Sequence, residues 1–377
     1  MTANAASGNR QNYEPAVLAI IDLIQAGKLN QALTLADRHV AEFPKSRIGH
    51  LLKGDILLAM SSQLHQVGEL VDTQSEALDG LKHQLRNRWR HLQDYSETSR
   101  KYVPASLVDM GNHKYVIVTD LKAGRLYLYE NQHDRPILVR DYYLTVGAAG
   151  YGKEITGDKK TPVGVYSIYE YIEPQKLPDR YGKGAFPVNY PNRFDKYRQR
   201  TGYGIWLHGS PSDTYARSPW ASDGCFVLSN DDLLDIEQYI DVQTRTPVIL
   251  SDTIDWISVE QLQLQRNRFL GILESWKRDW ESLDTAAYLA HYSKDNFNFG
   301  KASFTRWADR KKQVNDAKTF IQVDLDIKSL FVYPGEQDMF VVQYRQKYLS
   351  NNYAGEVNKE QYWQRDKQGQ WKIIYEG

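Results

Sequence analysis

Residues 205–209 are Ile-Trp-Leu-His-Gly and residues 221–228 are Ala-Ser-Asp-Gly-Cys-Phe-Val-Leu, and these two stretches decide the fold of the middle of the chain. Each contains a short apolar run of strand length with a glycine beside it. Cys225 is the single cysteine, so it forms no intrachain disulfide and is either structural or reactive. A thiol attacks as its thiolate and needs a base, and His208 is the one histidine between His133 and His291. We expect the two side chains to meet across neighbouring strands.

Two interpretations of this pair remain open from the residues alone. An isolated cysteine and an isolated histidine are more often a small buried residue and a hydrogen-bonded core residue than a catalytic pair. Gly209 and Gly224 stand directly beside His208 and Cys225, and glycine there indicates a tight turn or close approach of a substrate. The glycines therefore favour a functional site.

The charge balance and the cysteine count limit the partners and cofactors. The chain of 377 residues has 47 basic and 47 acidic residues, a formal net charge of +0, which argues against a dedicated nucleic-acid binder. No run of about 18 apolar residues is present, so no transmembrane segment is expected. No residues stand at metal-ligand spacing, and a single cysteine excludes a Cys-rich metal site, so neither metal nor cofactor is expected.

The length and the apolar pattern predict a multidomain protein of three segments. We expect a helical N-terminal region over 1–105, a mostly-β domain over 106–252 and an α+β domain over 258–377. The N-terminal pattern breaks at Gly27 and resembles one tetratricopeptide unit plus a following helix, with a charged helix over 63–99. One such unit does not stand alone, so it packs on the next domain or, in a homodimer, on a second protomer.

Short alternating runs in the middle segment predict a β-hairpin series with one evident helix at 231–239. Strands are expected at 115–118, 125–129, 137–146, 164–171, 205–208, 226–228 and 248–250. The last segment is expected to begin with a helix at 259–284. Its further elements are expected as strands at 320–327, 331–333, 339–349 and 361–375, with hairpin loops at Gly355 and Gly369.

The stretches around Cys225 resemble a known family, the bacterial L,D-transpeptidases with the YkuD-type catalytic domain, over about residues 113–251. The family motif places His-Gly or His-Ser before Ser-x-Gly-Cys, and here these are His208-Gly209 and Ser222-Asp-Gly-Cys225. The segment from about Leu262 to the end resembles a nuclear transport factor 2-like domain, a cone of helices and curved sheet. The resemblance thus implies a mostly-β L,D-transpeptidase catalytic domain followed by a cone-shaped α+β domain.

The resemblance also implies a division of roles. Cys225 would form a thioester with the acyl donor, His208 would be the base, and the carbonyl of Gly209 would orient the imidazole. Backbone N–H groups near Gly224 and Cys225 would form the oxyanion hole. The residues expected to bind the oxyanion or the substrate are Gly224, Ser222, Asp223, Arg217, Tyr190, Trp206 and Lys160.

Two positions depart from the family pattern. Many relatives have His where Asp223 stands, which leaves His208 as the sole base of this chain. Many have Arg where Val227 stands, which removes a contact to a substrate carboxylate. The residues that could replace this contact are Arg217, Arg200 and Lys160.

The domain order is similar to that of L,D-carboxypeptidases that trim peptidoglycan in Gram-negative bacteria with helical or curved cells. It implies removal of the terminal D-alanine from tetrapeptide stems, after meso-diaminopimelate. Transfer of the same thioester to an amine, giving a crosslink or attaching or releasing a lipoprotein, is the alternative. A cell-wall scaffold with an inert Cys225 is the non-enzymatic alternative.

The chain start leaves the location open. Residues 1–12 are small and polar, without the apolar core of a secretory signal, so the protein is either cytosolic or the mature form of an exported one. Peptidoglycan stem peptides as partner imply the periplasm, with the signal already removed.

Overall fold

The computed structural model describes residues 3–61, 76–95, 102–297 and 303–377. Over these residues the chain forms N-terminal helices, then a mostly-β domain, then a domain of helices and one antiparallel sheet. This order confirms the fold class expected from the sequence. No helix within the described ranges is long and apolar enough to cross a membrane.

The N-terminal region consists of helices packed around a small apolar core. Gly27 has a φ of +68°, a left-handed conformation that glycine adopts without strain, and the chain reverses there between the first two helices. The helices are α1 Ala3–Gln25, α2 Leu29–Glu42, α3 Arg47–Ser61 and α4 Glu76–Tyr95. The helix expected over 63–99 is confirmed for 76–95, and the rest of that range lies outside the described residues. Dimerisation through these helices stays a prediction.

The middle domain is built from short strands in two main sheets. The larger sheet has the strand order β4-β3-β2-β11-β6, and a smaller one has the order β10-β8-β7. The strands are β1 Val103–Pro104, β2 Tyr115–Asp120, β3 Arg125–Gln132, β4 Arg135–Tyr143, β5 Val146–Gly147, β6 Gly164–Ser167, β7 Ala185–Pro187, β8 Trp206–His208, β9 Trp220–Ser222, β10 Phe226–Val227, β11 Pro247–Ser251 and β12 Trp256–Ile257. Two α-helices belong to the same domain, α5 Arg193–Tyr197 and α6 Asn230–Glu237, together with two single-turn 3-10 helices at Pro174–Lys176 and Asp179–Tyr181.

The larger sheet is buried on both faces. Ile117 and Leu128 point towards the smaller sheet and pack against Leu207 and Phe226. On the opposite face, residues such as Val118 pack against the C-terminal sheet. Double-sided burial explains why β2 begins with the continuous apolar run Tyr115–Val118 and does not alternate strictly. The two strands that carry the candidate site thus lie in a small sheet supported by a rigid one.

The C-terminal domain lays helices across one face of a four-stranded antiparallel meander, β13-β14-β15-β16. Trp276 and Trp363 are fully buried between the two layers. The helices are α7 Val259–Glu281, α8 Thr285–Leu289 and α9 Phe304–Asp316, and the strands are β13 Ile321–Val332, β14 Met339–Ser350, β15 Tyr353–Arg365 and β16 Trp371–Glu376.

Three expectations for this domain were wrong. The strands expected at 320–327 and 331–333 are one strand, β13, which continues through a bulge between Ile327 and Ser329. The segment 361–375 is interrupted by a turn at Gly369, so its two parts belong to β15 and β16. Gly355 lies inside β15 and not in a loop. A glycine fits there because the ring of Tyr353 covers it, and an added Cβ would lie 2.8 Å from that ring's Cζ.

Candidate active site

His208 ends strand β8 and is almost completely buried, with 2% of its surface exposed. Its Nδ1 lies 2.7 Å from the carbonyl oxygen of Gly209. A carbonyl oxygen only accepts hydrogen bonds, so Nδ1 must carry the proton and Nε2 keeps its lone pair. The ring of Tyr181 packs edge-on against the imidazole at 4.9 Å between centroids. His208 is therefore held as a neutral base with Nε2 available.

Burial also determines the charge of this imidazole. Desolvation lowers the pKa of His208 to about 3, and the positive charges of Arg217 and Arg180 act in the same direction. The hydrogen bond to Gly209 opposes this shift but does not outweigh it. His208 is consequently neutral at physiological pH, which is the state a general base needs.

Cys225 lies directly before β10, which runs parallel to β8. Leu207 pairs with Phe226 and His208 with Val227, so Cys225 stands opposite Trp206. Side chains alternate between the faces of a strand, so Cys225 and His208 share a face, one strand apart and two residues along. In this structure the Cys225 Sγ donates to the carbonyl oxygen of Gly204, 3.4 Å away, and not to His208. The two reactive groups are neighbours that are not hydrogen-bonded to each other.

A tight turn presents the half-buried thiol. The Ser222 hydroxyl donates to the carbonyl oxygen of Cys225 at 2.6 Å and accepts from the backbone N–H of Gly224 at 3.1 Å. Gly224 has a φ of +120°, and a Cβ added there would lie 2.8 Å from the carbonyl oxygen of Lys160. Glycine is thus required for both the conformation and the space, while the neighbouring Asp223 is exposed.

Two arginines lie close to the reactive groups. The positive charges of Arg217 and Arg180 lower the pKa of the Cys225 thiol as well as that of His208. The guanidinium of Arg217 donates to the carbonyl oxygens of Arg180 at 2.8 Å and of Ala221 at 3.2 Å. A guanidinium has five N–H donors, so further donors remain for a ligand. The structure therefore places the charge of Arg217 near Cys225 and His208, together with that of Arg180, which sequence reasoning missed.

The other expected residues divide between the site and the core. Trp206 packs on Tyr181 at 5.0 Å between ring centroids, beside His208, and Lys160 lies with its backbone against Gly224. Tyr190 is buried in the core of the domain, and its hydroxyl donates to the carbonyl oxygen of Thr201 at 3.0 Å. This placement argues against the expected contact of Tyr190 with substrate.

Arg200, the other replacement considered for the missing carboxylate contact, is engaged elsewhere. Its guanidinium forms ion pairs with Asp195 at 3.1 Å and with Glu336 at 2.9 Å. Asp195 is fully buried, so removing its partner would leave an unpaired buried charge. Arg200 therefore has a structural role that ties the middle domain to the C-terminal one.

The pKa of the Cys225 thiol leads to a labelling prediction. Burial raises that pKa from 9.0 to about 11, against the lowering effect of the hydrogen bond from the backbone N–H of Trp206, while the charge of Asp223 adds to the rise. We expect alkylation by iodoacetamide to be about 100-fold slower in the folded protein than in urea at pH 7. A pKa that is higher by about two units leaves about one hundredth as much thiolate at this pH. The rate should still be rising above pH 9. Mass spectrometry measures it without interference, since Cys225 is the only cysteine. A plateau below pH 8 would instead indicate a thiolate stabilised by protonated His208.

Comparison with protein families identifies two regions of the chain. Residues 114–250 match the L,D-transpeptidase catalytic domain, YkuD, and residues 268–377 match the Cds6 C-terminal NTF2-like domain. The first range includes both stretches that carry His208 and Cys225. A comparison with curated proteins gives no match.

Solved structures resemble most of the chain. Bdellovibrio bacteriovorus Bd1075 is 28% identical with a TM-score of 0.63, and the match covers 73% of this chain and 97% of that one. The helical cell shape determining protein Pgp2 from Campylobacter jejuni is 28% identical with a TM-score of 0.61, over 72% of this chain and 95% of that one. A point mutant of Pgp2 gives 26% identity and a TM-score of 0.61, over 78% and 98%.

Proposed function

We propose that this chain, which carries a YkuD L,D-transpeptidase catalytic domain followed by a Cds6-type NTF2-like domain, is an L,D-carboxypeptidase of peptidoglycan. It removes the terminal D-alanine from tetrapeptide stems by cleaving the bond after meso-diaminopimelate. The observation that carries the proposal is the common sheet face of Cys225 and His208, with Nδ1 of His208 held by the Gly209 carbonyl and Nε2 left as the base.

The first half of the reaction forms a thioester. The Cys225 thiol turns from the Gly204 carbonyl to His208, whose Nε2 takes its proton as the sulfur attacks the carbonyl carbon of diaminopimelate. The oxyanion that develops is stabilised by the backbone N–H of Cys225. The carbon–nitrogen bond then breaks, and the imidazolium passes its proton to the amine of the departing D-alanine.

The second half decides between hydrolysis and transfer. Neutral His208 takes a proton from water, the hydroxide attacks the thioester, and the sulfur leaves and recovers the proton. An amine from a second stem or a lipoprotein could attack instead, and the transpeptidase description of the family supports this second candidate. The similarity to the helical cell shape determining protein Pgp2 supports hydrolysis, because trimming stems removes crosslinking sites and so alters wall shape.

Arg217 and Arg180 together supply the positive charge that recognises the substrate. Val227 stands where an arginine would bind a substrate carboxylate, and Arg217 with Arg180 places positive charge at the same thiol from other parts of the chain. A carboxylate beside a guanidinium forms short charge-assisted hydrogen bonds. Arg217 therefore binds a stem-peptide carboxylate in this proposal. Such a substrate lies in the cell envelope, so the protein acts in the periplasm.

Digestion of purified muropeptides tests the function. We expect the full chain to convert monomeric tetrapeptides into tripeptides and free D-alanine without forming new dimers, as measured by liquid chromatography and mass spectrometry. Cys225→Ala should show none of this activity. New crosslinked dimers would establish transfer and overturn the carboxypeptidase assignment. Wild-type protein that behaves like Cys225→Ala on every muropeptide would favour a scaffold.

A further inference from the structure

The loop that joins the base to the nucleophile is held from outside by the N-terminal helices. Residues 211–219 lie between β8 and β9 in neither helix nor strand, and they include Arg217. The ring of Tyr215 stacks on Tyr13 of α1 with centroids 3.8 Å apart and planes 14° apart. Its backbone N–H donates to the carbonyl oxygen of Lys45 at 3.1 Å, between α2 and α3. The middle of this loop is thus fixed to two parts of the helical region.

Further contacts continue along the same loop, which we call the 211–219 loop. Asp213 pairs with Arg47 at 3.0 Å, but both side chains are exposed, so this ion pair contributes little. Ser218 lies against Gly80 of α4 so closely that a Cβ at Gly80 would clash with its hydroxyl. The packing of the 211–219 loop on the N-terminal helices therefore rests on the stacked rings of Tyr13 and Tyr215 and on the close fit of Ser218 against Gly80.

The inner side of the loop holds Arg217 for the active site. The carbonyl oxygen of Arg217 accepts from the Tyr143 hydroxyl at 3.0 Å and from the Thr145 hydroxyl at 3.2 Å. The guanidinium of Arg88, from α4, lies over the Tyr143 ring at 4.1 Å and over the Tyr13 ring at 5.1 Å. A helix of the N-terminal region therefore supports both the outer and the inner contacts of the loop.

We infer that the N-terminal helices set the position of Arg217, with Tyr13 and Tyr215 as positioning residues that act on substrate affinity and not on the chemical step. This inference rests on the proposed binding of a stem-peptide carboxylate by Arg217. His208 and Cys225 are positioned by the β8–β10 pairing inside the catalytic domain. A disturbed loop should therefore weaken binding and leave the reactive pair in place.

The N-terminal helices lie outside both family matches. Both family matches begin after the helices, at residues 114 and 268. The contacts that hold the 211–219 loop from outside therefore come from a part of the chain that neither family match includes.

The test separates KM from kcat in full-length variants. We expect Tyr13→Leu and Tyr215→Leu each to raise KM for the tetrapeptide about tenfold while kcat changes less than twofold, because a displaced Arg217 loses binding and not chemistry. Tyr215→Phe keeps the stacked ring and should retain the wild-type KM. Leu52→Ala is the matched control, since Leu52 is buried in the same helical core. It should lower the melting temperature without changing KM.

A tetrapeptide with a C-terminal amide provides a second readout. The wild type should prefer the free carboxylate, and Tyr13→Leu should reduce this preference, which a general loss of stability would not do. In Arg217→Gln protein, adding Tyr215→Leu should change KM little further, because both act through the same guanidinium. Unchanged KM in both leucine variants, or the same KM rise in Leu52→Ala, would overturn the inference and leave the proposed function standing. A wild type that cleaves no stem peptide would overturn both.

Discussion

Replacing His208 with alanine is expected to lower kcat/KM for tetrapeptide cleavage by about 10²–10⁴-fold, the range that a positioned general base contributes. His208 supplies the base in the proposed reaction, and no other histidine lies between His133 and His291 in the sequence. The thiol pKa of about 11 makes the loss severe, since Cys225 has little thiolate of its own at neutral pH. Release of D-alanine, followed at pH 7, measures the effect.

His291→Ala is the matched control for this variant. His291 is also largely buried and also uses one ring nitrogen, Nε2, in a hydrogen bond, to Asp279 at 2.6 Å, but it lies in the C-terminal domain. It should keep wild-type kcat/KM even if it lowers stability. His208→Ala protein that folds normally and retains more than a tenth of the wild-type activity would contradict the assignment of the base.

The pH dependence follows from the direction of the same shift. The pKa of His208 is lowered to about 3 by burial, so the base stays neutral and active well below pH 6, and protonation removes it only near pH 3. The unfolded chain protonates this histidine near 6.5 and the folded one does not, so the unfolded state binds more protons between these values. His208 therefore makes the free energy of unfolding fall as pH drops from about 6.5 towards 3. Unfolding curves must accompany the activity profile, because unfolding and protonation of the base both remove activity at low pH.

Local patterns in the sequence predicted the elements that bury apolar residues and failed where burial is slight. The strands of the larger sheet were found because apolar residues fill them, whereas α9 was missed because mainly Phe304 and Trp307 of its first turn pack inwards. Its one clear signal was Ser303, whose hydroxyl accepts from the N–H of Arg306 as a helix cap. Glycine misled the prediction at 355, because a glycine inside a strand and one in a loop look alike until the covering ring is known.

Sequence spacing singled out Cys225 and His208 because a motif lies within a few residues of each. Arg180 has no such signal, since its charge acts on the thiol only through the packing of a segment about 30 residues upstream of His208. Tyr190 shows the reverse error, because an aromatic residue near a motif does not reveal whether it lines a groove or fills a core. Whether Arg180 lies near the thiol and whether Tyr190 is buried both depend on tertiary packing, which spacing along the sequence does not reveal.

Because one tetratricopeptide-like unit does not stand alone, we expected the N-terminal helices to pack on the next domain or on a second protomer. They pack on the catalytic domain, and buried charges hold this contact. Arg125, fully buried on β3, pairs with Glu14 of α1 at 2.8 Å and with Asp141 of β4 at 2.7 Å. Breaking such a pair leaves an uncompensated buried charge, which costs more than the pair gains. The apolar pattern of α1 indicated that it must pack on something, but not that a charge would fix its place.

Replacing Gly224 with alanine is expected to reduce activity about 100-fold and to lower the free energy of unfolding by about 3 kcal/mol. The φ of +120° is one that side chains other than glycine rarely adopt, and the new Cβ would lie 2.8 Å from the backbone carbonyl oxygen of Lys160. Neither atom belongs to a flexible side chain, so the turn itself must move. Because Cys225 follows directly, its sulfur moves with the turn and away from the face it shares with His208.

Gly157→Ala separates the clash from the backbone strain. Gly157 also has a positive φ, +80°, but nothing lies within 4 Å of an added Cβ, so alanine there should cost about 1 kcal/mol and leave kcat unchanged. Urea unfolding and D-alanine release on both variants give the comparison. Equal destabilisation would show that strain alone acts at Gly224. Wild-type kcat in Gly224→Ala would show that the turn does not position the nucleophile, because a displaced sulfur cannot attack at the wild-type rate.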